Sequence, residues 1–461
     1  MPQVLPSFDY AKQFVGEKIL HQVLGYIDRD PERNVPKILN LVKKLAKKQH
    51  HQQHALKIAE WYDKNPAVRE YVNRLFERSH PNVKRRLLYN WFFNAMIFGI
   101  PDQQELSRKL GVHIPNFFLI DPTSDCNLRC DGCWAGMYDK HDSLDFETLD
   151  RLMTEAKELG IYWVAMSGGE PFKYPRLLEL AAKHPDMAFM AYTNGTLITE
   201  KVADTLAEVG NFTPAISLEG WRERTDARRG SGVFDRIMKV MDYLRERGVI
   251  FGVSITITRY NVEEVTSDEF IDFLIDKGAV YGWTFHYIPV GRNPNLDLLV
   301  TPEQRAYLAE RIPYIRTHKP IQIADFWNDG ELTHGCIAGG RMYFHIAASG
   351  NVEPCAFAHF AADNIKGKSL LEVLKNPVFA AFQKRQPFSD NFLRPCPIID
   401  VPEALREIVA ESGAKPTHPG AESVLTGTIA AYLDRRSEEW GRVADGIWAN
   451  RHPERKAAQS H

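Results

Sequence analysis

The chain has 461 residues, of which 44% are hydrophobic and 25% charged, and its formal net charge is −2. That length exceeds one ordinary core and implies roughly three domains, in a composition usual for a soluble globular protein. No apolar run follows a basic start and no stretch of about 18–20 apolar residues occurs, so neither a signal peptide nor a transmembrane helix is expected, and a cytoplasmic location is.

Residues 1–112 read as helices broken by prolines. Over residues 1–110 there are 19 Lys and Arg against 11 Asp and Glu, a balance of +8 that leaves −10 for the remainder. Such a basic region invites an anionic partner. Ile38, Leu41, Val42 and Leu45 fall at helical spacing beside Lys43, Lys44, Lys47 and Lys48. The His50–His54 run, HHQQH, reads as a solvated helix face, because nothing near it completes a metal site. The segment Lys84–Pro101, KRRLLYNWFFNAMIFGIP, is basic and then aromatic. It reads either as a core helix or as one lying in a membrane interface through residues 84–100, which would place the protein at the inner face of the membrane. Nucleic acid is not expected as a partner, and the oligomeric state is not legible.

From Phe117 the pattern alternates. Apolar runs at 117–121, 162–166, 188–192, 213–218, 250–257 and 283–290 are separated by polar segments of helical period, such as 144–160 and 231–248. Six strand–helix repeats predict an α/β fold with a parallel sheet and right-handed crossovers, in a partial or full barrel. Ligands in such sheets gather at the C-terminal strand ends. After Asn293 the alternation ends. Residues 301–318 look helical, 341–357 read as two strands around Ser349-Gly350-Asn351, and a charged helical tail begins near 402. The expected division is 1–112, a helical N-terminal region; 113–300, the barrel; 301–400, a small extension; and 401–461, the tail.

The six cysteines are clustered, which favours metal or redox chemistry over disulfides. Cys126, Cys130 and Cys133 follow the first strand. Three thiolates can hold three irons of a four-iron cube and leave one iron open, whereas structural zinc takes four ligands. No fourth cysteine lies nearby, and His141 is the one close histidine. The thiols alone leave zinc and iron–sulfur both open. The following strands end in SGGEP (Ser167–Pro171), YTNG (Tyr192–Gly195) and SLEG (Ser217–Gly220), and RRGSGVF (Arg228–Phe234) comes next.

In this order, each at a strand end, the motifs resemble the radical S-adenosylmethionine (radical SAM) superfamily. The resemblance covers roughly residues 113–295 and implies a partial (β/α)6 TIM-like barrel. It implies that Cys126, Cys130 and Cys133 hold a [4Fe–4S] cluster whose open iron chelates S-adenosylmethionine. It implies that Gly168, Gly169 and Glu170 receive the methionine ammonium, that Asn194 meets the ribose, that Ser217 and Glu219 help with ribose and methionine, and that Arg229 suits the methionine carboxylate. The chemistry implied is reductive cleavage to a 5′-deoxyadenosyl radical that takes hydrogen from an unactivated C–H bond, with electrons from a flavodoxin- or ferredoxin-type protein. One departure stands out. The family usually has an aromatic residue before the third cysteine, where this chain has Gly132; Trp134 is expected to take over its packing.

Cys336, Cys355 and Cys396 form a second set. Their spacing around Gly350 resembles the opening of the auxiliary-cluster extension called SPASM, or its shorter twitch form, and the count allows one further cluster. His345, His359, Asp400 or a substrate would complete it; three buried structural cysteines are the other reading. For the substrate the likeness extends to enzymes of lipid chains. The alternatives are a peptide maturase, which usually carries a winged-helix module, and a non-catalytic electron-transfer protein.

Overall fold

The computed structural model describes residues 22–45, Leu24 apart, and 60–453. The His50–His54 run lies outside the described residues. The six expected strands form as β1 (Phe117–Ile120), β2 (Trp163–Met166), β3 (Ala188–Thr193), β4 (Phe212–Ser217), β5 (Gly252–Ile257) and β6 (Tyr281–His286), all parallel. Their connections are amphipathic helices with ordinary stops and starts. The helix Phe146–Glu158 begins at Asp145, whose carboxylate caps Thr148 N, and buries Leu149, Leu152, Met153 and Ala156 at helical spacing.

The sheet runs past the boundary expected at residue 300. A seventh strand, β7 (Gln322–Asp325), follows the helix Pro302–His318 and pairs in parallel with β6. Four residues with two half-buried positions gave too weak a pattern to predict it. At the other edge lies the hairpin of β8 (His345–Ile346) and β9 (Asn351–Glu353), turned at Gly350 with φ of 90°. The strand β8 pairs in parallel with β1, Leu119 opposite His345 and Ile120 opposite Ile346. Two further short strands are β10 (Phe360–Ala361) and β11 (Asp363–Asn364), and β11 completes a ten-stranded sheet of order β11-β9-β8-β1-β2-β3-β4-β5-β6-β7. The second cysteine region is thus an extension of the barrel sheet. The tail is helical, Pro402–Ser412 and Gly427–Arg451, and Trp440 anchors it on Leu393 through its indole N–H.

The segment Lys84–Pro101 lies within a continuous helix from Pro81 to Leu110, widened to π-type over Lys84–Leu88 and Asn90–Gly99. One face is core: Leu87, Leu88 and Ala95 are buried, and the amides of Asn90 and Asn94 donate to the carbonyls of Pro185, Asp186 and Met187. The other face exposes Trp91, Phe92, Met96, Ile97 and Phe98. The core-helix reading holds for the first face. Its basic end is committed: Lys84 pairs with Asp28, Arg86 donates to Val209 O at 2.7 Å, and Arg85 bonds Asn82. Among the described residues, no helix is long and apolar enough to cross a membrane.

Candidate active site

The C-terminal strand ends surround a cavity of about 170 Å3. Cys126, Cys130 and Cys133 line it together with Gly168, Gly169, Glu170, Asn194, Ser217 and Arg229. The loop carrying the thiols is pressed against the end of β2, which glycine alone permits. A Cβ on Gly169 would lie 2.0 Å from the carbonyl oxygen of Asp125, and one on Gly168, at φ of 105°, would lie 2.5 Å from that of Thr123.

Glu170 is buried and already engaged. Its carboxylate accepts hydrogen bonds from Thr193 Oγ1 at 2.6 Å, Asn194 N at 2.8 Å and Phe172 N at 3.1 Å, so it ties β2 to the end of β3. Burial pushes its carboxyl up, against these bonds. Asn194 donates to Asn127 Oδ1 at 3.0 Å and accepts from Thr196, holding its amide over the thiol loop. Glu219, buried as well, takes Arg228 Nη1 at 2.8 Å and Nε of Arg229 at 2.9 Å. Arg228 also donates to the carbonyl of Asp131, inside the thiol loop. One carboxylate between two guanidiniums leaves one positive charge beside Cys130.

Sequence reading named Arg229 and missed Arg228, because nothing in a doubled arginine tells which side chain turns inward. It also missed what occupies the place beside Gly132. A Cβ there would lie 2.7 Å from Cε2 of Tyr287, just beyond β6. The buried Tyr287 ring lines the cavity and its hydroxyl accepts from Asn295 N at 2.9 Å. Trp134 instead packs edge-on against His345 at 5.7 Å and Phe357 at 6.0 Å. Trp134 lines the cavity as well, but the aromatic ring filling the space next to Gly132 comes from a different strand end.

Cys336, Cys355 and Cys396 also converge, around a separate cavity of about 20 Å3 whose other lining residues, such as Phe326, Trp327 and Phe382, are apolar. The hairpin supplies Cys355 and the loop after Pro395 supplies Cys396. Phe326 and Phe357 line both cavities. The three side chains expected to complete this set have other partners. His345 bonds Glu353 through Nδ1 at 2.8 Å and faces Asp121 through Nε2 at 3.0 Å, an ion pair without hydrogen-bond alignment. His359 bonds His418 and the carbonyl of Ala356, and Asp400 pairs with Arg305 and accepts from Cys396 N.

The donor sets fit iron–sulfur clusters. Burial pushes the Cys126 thiol up to about 11 and the Cys336 thiol up to about 12, and raises Cys130, Cys355 and Cys396. A thiolate in such places needs a metal cation to offset its desolvation. Among the described residues, no three His, Cys, Asp or Glu side chains close on the spacing of a single ion. Three thiols spread around a cavity suit a polynuclear cluster, in which each holds a different iron.

Comparison with known proteins agrees. The model of the radical SAM superfamily matches residues 120–274, and that of an iron–sulfur cluster-binding domain, SPASM, matches residues 336–397. The mycofactocin maturase MftC of Mycobacterium tuberculosis is 30% identical over 58% of this chain and 74% of its own. The chain belongs to the radical SAM superfamily. Another member, the AdoMet-dependent heme synthase of Methanosarcina barkeri, is 25% identical over 57% of this chain and 82% of its own. The Streptococcus suis protein SuiB, solved bound to its precursor peptide SuiA, shares the fold with a TM-score of 0.54 at 19% identity, over 64% of this chain and 74% of its own. As a radical SAM protein with a SPASM-type region, the chain is an enzyme whose cofactors are S-adenosylmethionine and [4Fe–4S] clusters. The electron-transfer module without catalysis falls away.

Proposed function

We propose that this radical SAM enzyme modifies a peptide, removing hydrogen from an unactivated C–H bond of an aromatic or apolar side chain seated in the strand-end cavity. The observation that carries this reading is the wall of that cavity. Beyond the thiols it is built of Tyr192, Trp283, Phe285, Phe326, Tyr343 and Phe357, a lining that rewards one flat or apolar group. The likeness to mycofactocin maturase supports it.

The residues divide the work as follows. Cys126, Cys130 and Cys133 hold the first cluster, and the backbone at Gly168 and Gly169 approaches the methionine end of S-adenosylmethionine. Glu170 fixes that loop. Asn194 and Ser217 face the ribose, and the Arg228–Glu219–Arg229 group presents its excess positive charge to the methionine carboxylate. Tyr287 walls the adenine side. Cys336, Cys355 and Cys396 hold the second cluster. With an electron donor protein of flavodoxin or ferredoxin type, the bound cofactors supply the one-electron chemistry that abstracts hydrogen.

A second reading, a tetrapyrrole substrate, is favoured by the heme synthase relative. A lipid chain has in its favour the exposed apolar face of the Pro81–Leu110 helix. One experiment separates the three. The reconstituted, reduced enzyme is given peptides with deuterated aromatic and aliphatic side chains, deuterated coproporphyrin, or deuterated acyl lipid, and 5′-deoxyadenosine is weighed by mass spectrometry. Deuterium is expected from a peptide. Deuterium from the tetrapyrrole or the lipid alone would reject the peptide reading. Replacing Cys126, Cys130 and Cys133 with Ala should abolish 5′-deoxyadenosine altogether.

A further inference from the structure

Tyr343 touches both compartments. Its ring lines the strand-end cavity, and its hydroxyl lies 2.9 Å from Sγ of Cys355. The ring is held from several sides. It stacks on Phe117 at 5.4 Å and 10°, meets Phe326 edge-on at 5.7 Å, and is 3% exposed. Its backbone N–H is fixed to Ile337 O at 3.1 Å, next to Cys336. A thiolate has no hydrogen to give, so the phenol is the donor of this bond. Two backbone contacts to these sulfurs are longer, Phe357 N to Cys355 at 3.5 Å and Ile398 N to Cys396 at 3.4 Å, and the Gln386 amide faces Cys336. Among the described residues, Cys355 is the one thiol of the set that takes a hydroxyl hydrogen bond.

The ring alone would fill the aromatic wall, and phenylalanine would pack there without burying a polar atom. A buried hydroxyl aimed at a cluster sulfur has a physical effect that phenylalanine lacks. Hydrogen bonds to cluster sulfurs stabilise the reduced, more negative state and raise the reduction potential, and exclusion of water makes each bond count for more.

We propose that Tyr343 is a positioning residue that sets the electron affinity of the second cluster through its hydrogen bond to Cys355, and that its ring places this control in the wall of the substrate cavity. The inference rests on the reading of Cys336, Cys355 and Cys396 as cluster ligands. The second cluster is thereby made easier to reduce than its three thiolates alone would make it.

The test is a potentiometric titration, followed by electron paramagnetic resonance, of the reconstituted full chain and of its Tyr343→Phe variant, with iron measured in both. The same pair is made in a chain whose Cys126, Cys130 and Cys133 are Ala, so that the signal comes from the second cluster. Iron should stay at about eight per full chain, as two four-iron clusters require. The midpoint of the second cluster should fall in Tyr343→Phe, while that of the first cluster stays as it was. Should Tyr343→Phe lose iron, 3,5-difluorotyrosine at position 343, a stronger donor of nearly the same shape, should raise the midpoint instead. An unchanged midpoint with full iron overturns the proposal and leaves the cluster reading intact. About four irons in the parent, unaffected by replacing Cys336, Cys355 and Cys396, overturns both.

Discussion

His345 shows how a residue can be legible in the sequence and still misjudged. It stands beside the second thiol set in the chain, which suggested a ligand, but both ring nitrogens face carboxylates, Glu353 and Asp121. Burial works against its charge, yet the two carboxylates outweigh it and push the imidazole up to about 10. The sign follows from that direction. A folded-state value above the ordinary 6.5 gives stability that is full below about 6.5 and is lost as pH rises toward 10. His345→Leu should cost about 3–5 kcal/mol near neutral pH, because two buried carboxylates then lose their cation. Urea unfolding from pH 6 to pH 10 should show the gap between parent and variant narrowing as pH rises. A gap that widens would mean that the ring is neutral in the fold. The thiols stood out by their spacing, and the glycines of SGGEP by the family resemblance of their motif. The partners of Glu170 and Gly132 were not legible, since Thr193 and Tyr287 come from other strand ends and meet them only in three dimensions; Arg228 follows the same strand as Glu219, but only the fold shows that it turns inward.

At the scale of elements, the six barrel strands and their helices were legible because apolar runs and amphipathic segments of the right length alternate without interruption. The strand β7 was not, for want of a run. The helix Pro81–Leu110 was ambiguous for a physical reason: its apolar residues wrap most of its circumference, and only the structure shows which of them the barrel uses. The exposed set of Trp91, Phe92, Met96, Ile97 and Phe98 is large for a surface left to water. With Lys84 and Arg86 already engaged, its adsorption to a bilayer should owe little to charge. The protein should therefore cosediment with neutral and anionic vesicles alike, with little loss as salt rises. Trp91→Ser together with Ile97→Ser should release it, leaving S-adenosylmethionine cleavage unchanged. A parent that stays in the supernatant with both vesicle types would assign this face another use.

Across the whole molecule, one sheet carries both thiol sets. The division read from composition placed a boundary near residue 300, since the strand–helix rhythm stops there. Spacing along the chain cannot reveal that β8 returns to pair with β1. Because the sheet and the apolar core are continuous, the barrel and the extension should unfold together. Anaerobic calorimetry of the loaded enzyme should give one transition over residues 113–400. Replacing Cys336, Cys355 and Cys396 with Ala should lower its midpoint as a whole rather than split off an early step. The pairing of β1 with β8 also has a meaning on the ribosome. The strand Phe117-Phe118-Leu119-Ile120 emerges early, yet one of its edges has no neighbour until His345 and Ile346 have been made. At about 5–20 residues per second, that leaves a bare apolar edge waiting for about 10–45 s. Such an edge is open to pairing with other nascent chains. Yield of the protein in a heterologous host should thus depend on the speed of translation between β1 and β8 and on chaperones able to shelter that edge, more than on the stability of the finished fold.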